Sequence, residues 1–466
     1  MVDVSREDIT DGSLVRALLV LATPLIVQNF VIVAQQVVDT FWVGRLGQDA
    51  VAAVGAVFPV TALLFSVAIV MLTGTQVLVS QRVGADDLTG ARRATFHGAT
   101  VALATGCVIA VVVFLGAGPI VSTLLTAESV VPLAATYLAW VGLLFPFASM
   151  SDALEGGFVG WGDSRASMYA NVSAVVVNVT LDPFLILGWG PFPRLEMQGA
   201  ALATGIGYAF GFLLMAGMFL QGRDQFRLTR EAVGFDLDEY REIIDIGLPR
   251  GAQGAAQQSV RVVIIALVSA VGGSAGLAAY HLGAQVATVA FVPAQGLSSA
   301  AQSVIGQNLG AERPDRASRT TWIGATIAAV GLTVLGVFQW VAPEFIVTTF
   351  VPDMSAEAVA LSVEYLQILV LGYWGIGAMY LFEAGFNGAR RTKVSMVAGL
   401  LKYWTVRLPI AAVGALWLGY GVHSVFWAVT ISNVVGAVGA GLYYYHTTNN
   451  GMLQRAAEKA SASGAD

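Results

Sequence analysis

Residues 76–85, QVLVSQRVGA, return at 302–311 as QSVIGQNLGA. The offset of 226 holds between 74–95 and 300–321, pairing Gln76 with Gln302, Gln81 with Gln307, Gly84 with Gly310, Ala85 with Ala311 and Arg93 with Arg319. Working outward, the same offset pairs Ala52 and Ala53 with Ala278 and Ala279, and an offset of 225 pairs Pro24 with Pro249. An offset of 228 pairs Glu155 with Glu383, Gly157 with Gly385, Phe158 with Phe386, Gly160 with Gly388, Ser167 with Ser395 and Met168 with Met396. The chain is a duplication, with two small indels between its copies.

Each copy is apolar. Of 466 residues, 56% are hydrophobic and only 12% charged, and the mean hydropathy is +0.72. Soluble domains carry roughly 25% charge, so this is a polytopic membrane protein. Runs long enough to cross about 30 Å of hydrocarbon fall near 14–42, 51–80, 94–117, 131–151, 166–188 and 199–220, and again near 243–271, 277–306, 320–342, 357–382, 394–418 and 422–446. The expected fold is all-α: twelve transmembrane helices in two six-helix lobes. Six is even, so both copies enter the membrane the same way, and a pseudo-two-fold axis along the membrane normal should relate them.

This assigns residues 1–220 to an N-terminal lobe, 221–242 to a charged linker, 243–446 to a C-terminal lobe and 447–466 to a tail. Eighteen Lys and Arg residues lie in the connections on the side of the termini, against Arg45 and Arg194 on the other. The positive-inside rule therefore places linker, tail and both termini in the cytoplasm of a plasma-membrane protein. The acidic start, MVDVSREDITDGS, is unlike a cleavable signal peptide. Cys107 is the single cysteine, so no internal disulfide or thiol pair is available. Three lysines against 21 arginines and 17 aspartates, with a net charge of −6, resemble the balance in salt-loving archaea.

The repeat sorts residues by role. Amides and glycines present in both copies are expected to be scaffold, giving close helix approach and interhelical hydrogen bonds. Residues present in one copy are expected to be specialised. Asp39 stands opposite Ile265, Asn178 opposite Val406 and Asp182 opposite Ile410. An aspartate at mid-membrane costs roughly 2.5–3.5 kcal/mol on insertion scales and marks an ion or substrate path by default. Gln35 and Asp39 are four residues apart in the first span, as are Asn178 and Asp182 in the fifth, so each helix has a polar face. If those faces meet, two carboxylates, an amide and Thr204 of the sixth span supply oxygens for sodium or share a proton, and the acids titrate as a coupled pair. The alternative is that both acids cap or pack their helices. Pro183 is expected to kink or end the fifth span at Asp182, and Pro24 is a hinge or a static kink. Of the basic residues within spans, Arg250 and Lys402 are expected to snorkel to headgroups, whereas Arg261 and Arg407 lie deeper and need partners.

Taken together, the two six-span lobes, Pro24 and Asp39 in the first span, NVTLDP with Asn178 and Asp182 in the fifth, and the duplicated Q-x4-Q-x2-GA elements resemble the multidrug and toxic compound extrusion (MATE) family, in its archaeal and DinF-like branch. The resemblance runs from 14 to 446. It implies a secondary exporter of cationic amphipathic compounds, driven by inward H⁺ or Na⁺, with no cofactor beyond the coupling ion. It implies a cation site at the positions of Asp39, Asn178, Asp182 and Thr204, which would be the Na⁺ ligands in a sodium-coupled protein, and a bend at Pro24. The NorM-like branch has a glutamate where this chain has Gln257, so coupling is expected from the first lobe alone. Small-molecule substrates and membrane lipid are the expected partners, with no nucleic acid, and the protein is expected to act as a monomer. The alternative within the superfamily is a flippase for lipid-linked pyrophosphates, to which Arg250, Arg261, Lys402 and Arg407 would be suited. No HExxH, GxSxG or DDxxD constellation suggests an enzyme.

Overall fold

Without water to bond to, each backbone polar group in lipid must be satisfied within its own segment, which makes long apolar runs helical. The computed structural model describes residues 6–124, 129–350 and 354–462, and among them there is no strand. The first lobe is built from α1 (Leu14–Gly44), α2 (Gln48–Gly84), α3 (Leu88–Leu124), α4 (Val130–Trp161), α5 (Ser164–Leu187) and α6 (Glu196–Gln221). The second holds α7 (Leu237–Gly310), α8 (Pro314–Val341), α9 (Ala356–Val370), α10 (Tyr373–Gly388), α11 (Thr392–Trp417) and α12 (Gly421–Asn449).

A straight α7 would be about 110 Å long at about 1.5 Å per residue. Instead the backbone at Gly273 adopts φ 55°, ψ −152°, a region that glycine enters freely. The chain folds back there, so that 250–264 and 280–291 line one cavity from opposite arms. The two arms are two crossings. In contrast, α9 and α10 meet at a 49° bend and make one. Twelve crossings result, as the sequence predicts, but the tenth is not the continuous helix expected over 357–382. The hydroxyl of Thr430 takes the Ile368 carbonyl at 2.8 Å, and the Gly372 N–H, which would have bonded it, turns to Leu369 O at 3.0 Å. The boundary expected at 242 falls inside a helix: α7 starts at Leu237, where the Asp236 carboxylate accepts from the N–H groups of Asp238 (3.0 Å) and Glu239 (3.3 Å). Those two bonds hold the Asp236 carboxyl below the usual aspartate range.

The lobes join at the end of the bundle that carries both termini, and the repeated stretches are what join them. Gln81 Nε2 donates to Gly388 O at 2.7 Å. Its counterpart Gln307 donates to Gly160 O at 3.0 Å, and Gly160 and Gly388 are themselves repeat partners. Gln76 donates to Ser299 O at 2.8 Å. A Cβ on Gly84 or Gly310 would collide with the Gln307 or Gln81 carbonyl across the seam. Buried Arg82 closes a two-pronged pair with Glu239, while Arg390 reaches Glu242 and Gln81. Arg313 pairs with Asp11, and Arg316 Nη2 donates to the carbonyls of Ile9 (3.1 Å) and Gly12 (2.8 Å). Toward the opposite end, past Ser66 and Gly254, no hydrogen bond or ion pair links the lobes among the described residues.

Candidate functional site

The helical repeat puts Gln35 and Asp39 on one stripe of α1, and Asn178 and Asp182 on one stripe of α5. The two stripes face each other. Gln35 Nε2 donates to Asn178 Oδ1 at 2.7 Å and lies 3.5 Å from Asp39 Oδ2, and Asn178 Nδ2 lies 3.4 Å from Thr204 Oγ1 on α6. Turned over, the Asn178 amide donates to Asp39 Oδ1 at 3.0 Å and accepts from the Thr204 backbone N–H at 3.1 Å. Asp182 is buried and faces Asp39 at hydrogen-bonding range. Its Oδ2 is buried with no hydrogen-bond partner. Two carboxyl groups held this way need a proton or a cation between them, because like charges at such range in a poorly solvated pocket repel. Gln35, Asp39, Asn178, Asp182 and Thr204 are thus all brought together. Beside them Gln35, Asn171, Asn178, Thr204 and Tyr208 line a cavity of about 40 Å³.

Pro183 does not end α5 at Asp182. The helix runs on to Leu187 and is closed by Gly188 at φ 74°, so Asp182 stays on the stripe of Asn178, with only the Val179 carbonyl losing its usual donor. Pro24 lies apart from the cluster, inside an α1 that continues through it.

A second polar layer was not picked out from the sequence as part of a site. Glu155 accepts from Gln28 at 2.7 Å and Asn171 at 2.8 Å, and Ser167 donates to Gln28 Oε1 at 3.0 Å. Asp152 lies one turn before Glu155 on the same helix. The apolar run drawn over 131–151 stops just short of both acids, whereas α4 continues to Trp161. The signal was the repeat itself, since Glu155 and Glu383 are paired in it.

The second lobe repeats this layer and surrounds it with positive charge. Glu383 accepts from Gln253 at 2.8 Å and from Arg250 at 3.3 Å. Arg250, Arg261, Lys402 and Arg407 all line a cavity of about 190 Å³ that Glu383, Tyr280, Tyr365, Tyr380 and Tyr403 share. Arg250 and Lys402 therefore do not snorkel to headgroups: Arg250 is drawn inward by Glu383 and Gln253, and Lys402 is buried against the cavity wall. Arg407 finds neutral partners, its Nε donating to Ser432 Oγ and its Nη2 to Asn433 Oδ1, both at 2.9 Å.

Two like six-crossing lobes, joined at one end by buried hydrogen bonds and ion pairs and each enclosing polar side chains within its apolar crossings, define a membrane transporter rather than an enzyme. The MatE family model matches residues 24–184 and 249–413, and the chain belongs to that family. It is 28% identical over 470 residues to an FAD transporter of Shewanella oneidensis, covering 99% of each chain. It is also 28% identical to a probable multidrug resistance protein NorM of Pseudomonas aeruginosa, over 96% of this chain and 92% of that one. A MOP superfamily transporter from Pyrococcus furiosus shares its fold, with a TM-score of 0.90 at 20% identity, covering 97% of this chain and 99% of the other.

Proposed function

We propose that this protein is a plasma-membrane secondary exporter in which inward passage of a proton or a sodium ion through Asp39 and Asp182 drives efflux of small amphipathic compounds. The observation that carries the reading is the acid pair: Asp182 lies beside a second carboxyl, Asp39, and its Oδ2 is buried with no hydrogen-bond partner among the described residues. Loading the pair with one positive charge removes the repulsion between its members, and emptying it restores that repulsion. The coupling ion therefore favours whichever arrangement of α1 and α5 holds the carboxyls together, and an ion shifts such an equilibrium only through its differential affinity for the two states. Asn178 and Thr204 supply the further oxygens that a sodium ion would take. With the basic, seam-bearing end in the cytoplasm, the acid pair, on the side of the crossings away from the seam, lies where external ions reach it first. Pro24, on α1 between the seam and the pair, is the hinge in this scheme.

The multidrug names of several relatives suggest a cargo of amphipathic organic cations, for which the carboxylates of the first lobe compete with the coupling ion. The test is substrate-driven H⁺ and Na⁺ flux measured separately in proteoliposomes, together with efflux of a fluorescent organic cation. Asp39→Asn is expected to abolish ion-driven efflux, and wild-type transport by that variant would refute the scheme. The flippase alternative draws on the four basic residues of the second lobe; tight binding of a polyprenyl pyrophosphate with no organic-cation efflux would decide for it.

A further inference from the structure

Inside the second lobe, three cationic groups make no ion pair among the described residues. The cavity wall holds Arg250, Arg261, Lys402 and Arg407, and among the described residues Glu383 is its one carboxylate. Glu383 is already engaged by Arg250 and Gln253. Arg407 is aimed by the neutral Ser432 and Asn433, which fix its direction and leave its charge in place. Lys402 is 9% exposed, and neither it nor Arg261 makes an ion pair or hydrogen bond among the described residues. The Tyr403 ring lies between the two charges of α11, 5.0 Å from Lys402 Nζ and 4.7 Å from Arg407 Cζ. Unpaired cations in a bilayer face a cavity and mark what passes through it. The local backbone points the same way: over Leu401–Arg407, the stretch that carries Lys402, Tyr403 and Arg407, the helix widens to the i→i+5 pattern, a costly departure that concentrates at functional sites.

We propose that this cavity binds an organic anion through a phosphate group and an aromatic ring carried by the same molecule. Lys402 and Arg407 meet the phosphate, Arg261 guards the mouth, and Tyr403 and Tyr280, the latter backed by Tyr365 at 5.9 Å and 14°, present ring faces. A phosphate suits the site better than a single carboxylate because a dianion offsets more of the three free charges, and the forked guanidinium of Arg407 matches its oxygens. The volume of about 190 Å³ admits the phosphate and the adjoining ring, and the rest of a larger molecule extends past exposed Arg261. As a cargo site this rests on the exporter reading; as a binding site it stands without it. An organic cation is repelled from the same space.

The probes are flavin mononucleotide and riboflavin, which share a ring system and differ by the phosphate, titrated by flavin fluorescence into the full-length protein in nanodiscs. The mononucleotide is expected to bind at least tenfold more tightly, with inorganic phosphate competing. The double variant Lys402→Met/Arg407→Gln is expected to remove that preference. Arg261→Gln, at an exposed position, is expected to reduce it severalfold. Equal affinity for the two flavins, binding of neither, or a preference unchanged in Arg261→Gln would overturn the proposal. Asp39→Asn is expected to keep the phosphate preference. Wild-type ion-driven transport in that variant would remove the coupling scheme and leave this site standing.

Discussion

The two lobes share a skeleton and differ in sign. In each, a glutamate of the fourth crossing accepts from a glutamine of the first, Gln28 to Glu155 at 2.7 Å and Gln253 to Glu383 at 2.8 Å. Around that common pair the first lobe gathers Asp39, Asp152 and Asp182, and the second Arg250, Arg261, Lys402 and Arg407. The lesson is a division of labour. Residues kept in both copies hold helices and lobes together, and residues kept in one copy decide what the lobe attracts.

The comparison can be broken most severely by giving the first lobe what the second has at the same place. Asp39→Ile, the residue standing at 265, is expected to lower ion-driven efflux by at least tenfold while the protein still inserts and purifies, as measured in proteoliposomes under an imposed gradient. A smaller effect comes from the seam. Glu239→Gln removes the two-pronged carboxylate of the buried Arg82 guanidinium and leaves it only the carboxylate of Glu242, 3.7 Å from Nη2; losing one partner of a buried pair costs up to about 3–5 kcal/mol, and thermal unfolding in detergent should show it as a marked fall in Tm. The shared skeleton can be tested directly by Gln28→Leu and Gln253→Leu. Each strips one donor from a glutamate that is partly buried in the first lobe and buried in the second, at about 1–3 kcal/mol, and losses differing severalfold between the two would show that the lobes do not use this pair alike. The smallest effect is at Asp236, the helix cap that begins the second lobe: Asp236→Ala is expected to cost about 1 kcal/mol. Because the folded Asp236 carboxyl is depressed below its ordinary 3.8, its contribution is present above that value and is lost as the pH falls through the folded one. The variant and the parent should therefore converge in Tm on acidification.

Much of this was legible in the chain. The repeat and the apolar runs gave lobes and crossings because lipid leaves a long apolar segment little choice but helix. The acid cluster was legible because helical periodicity places Asp39 beneath Gln35 and Asp182 beneath Asn178, and because neither acid has a counterpart in the other copy. Three things were not. The break before Tyr373 depends on the Thr430 hydroxyl reaching the Ile368 carbonyl, 62 positions earlier in the chain. Continuation of α5 through Pro183 depends on packing that outweighs one missing backbone bond. Convergence of Lys402 with Arg250 and Arg261 requires α7 to fold back at Gly273, and hydropathy shows that turn only as a gap between two runs.

The crossed contacts of the seam, Gln81 on Gly388 and Gln307 on Gly160, have a consequence of their own. One patch is used twice and complements itself, as in an isologous dimer interface, here closed within a single polypeptide. Two separate but identical chains joined this way could not acquire an acidic pocket in one and a basic pocket in the other, since any substitution would appear in both. Fusion through the stretch before Leu237 lifts that constraint, and the opposite charges of the two lobes are a divergence that only a covalently linked pair can sustain.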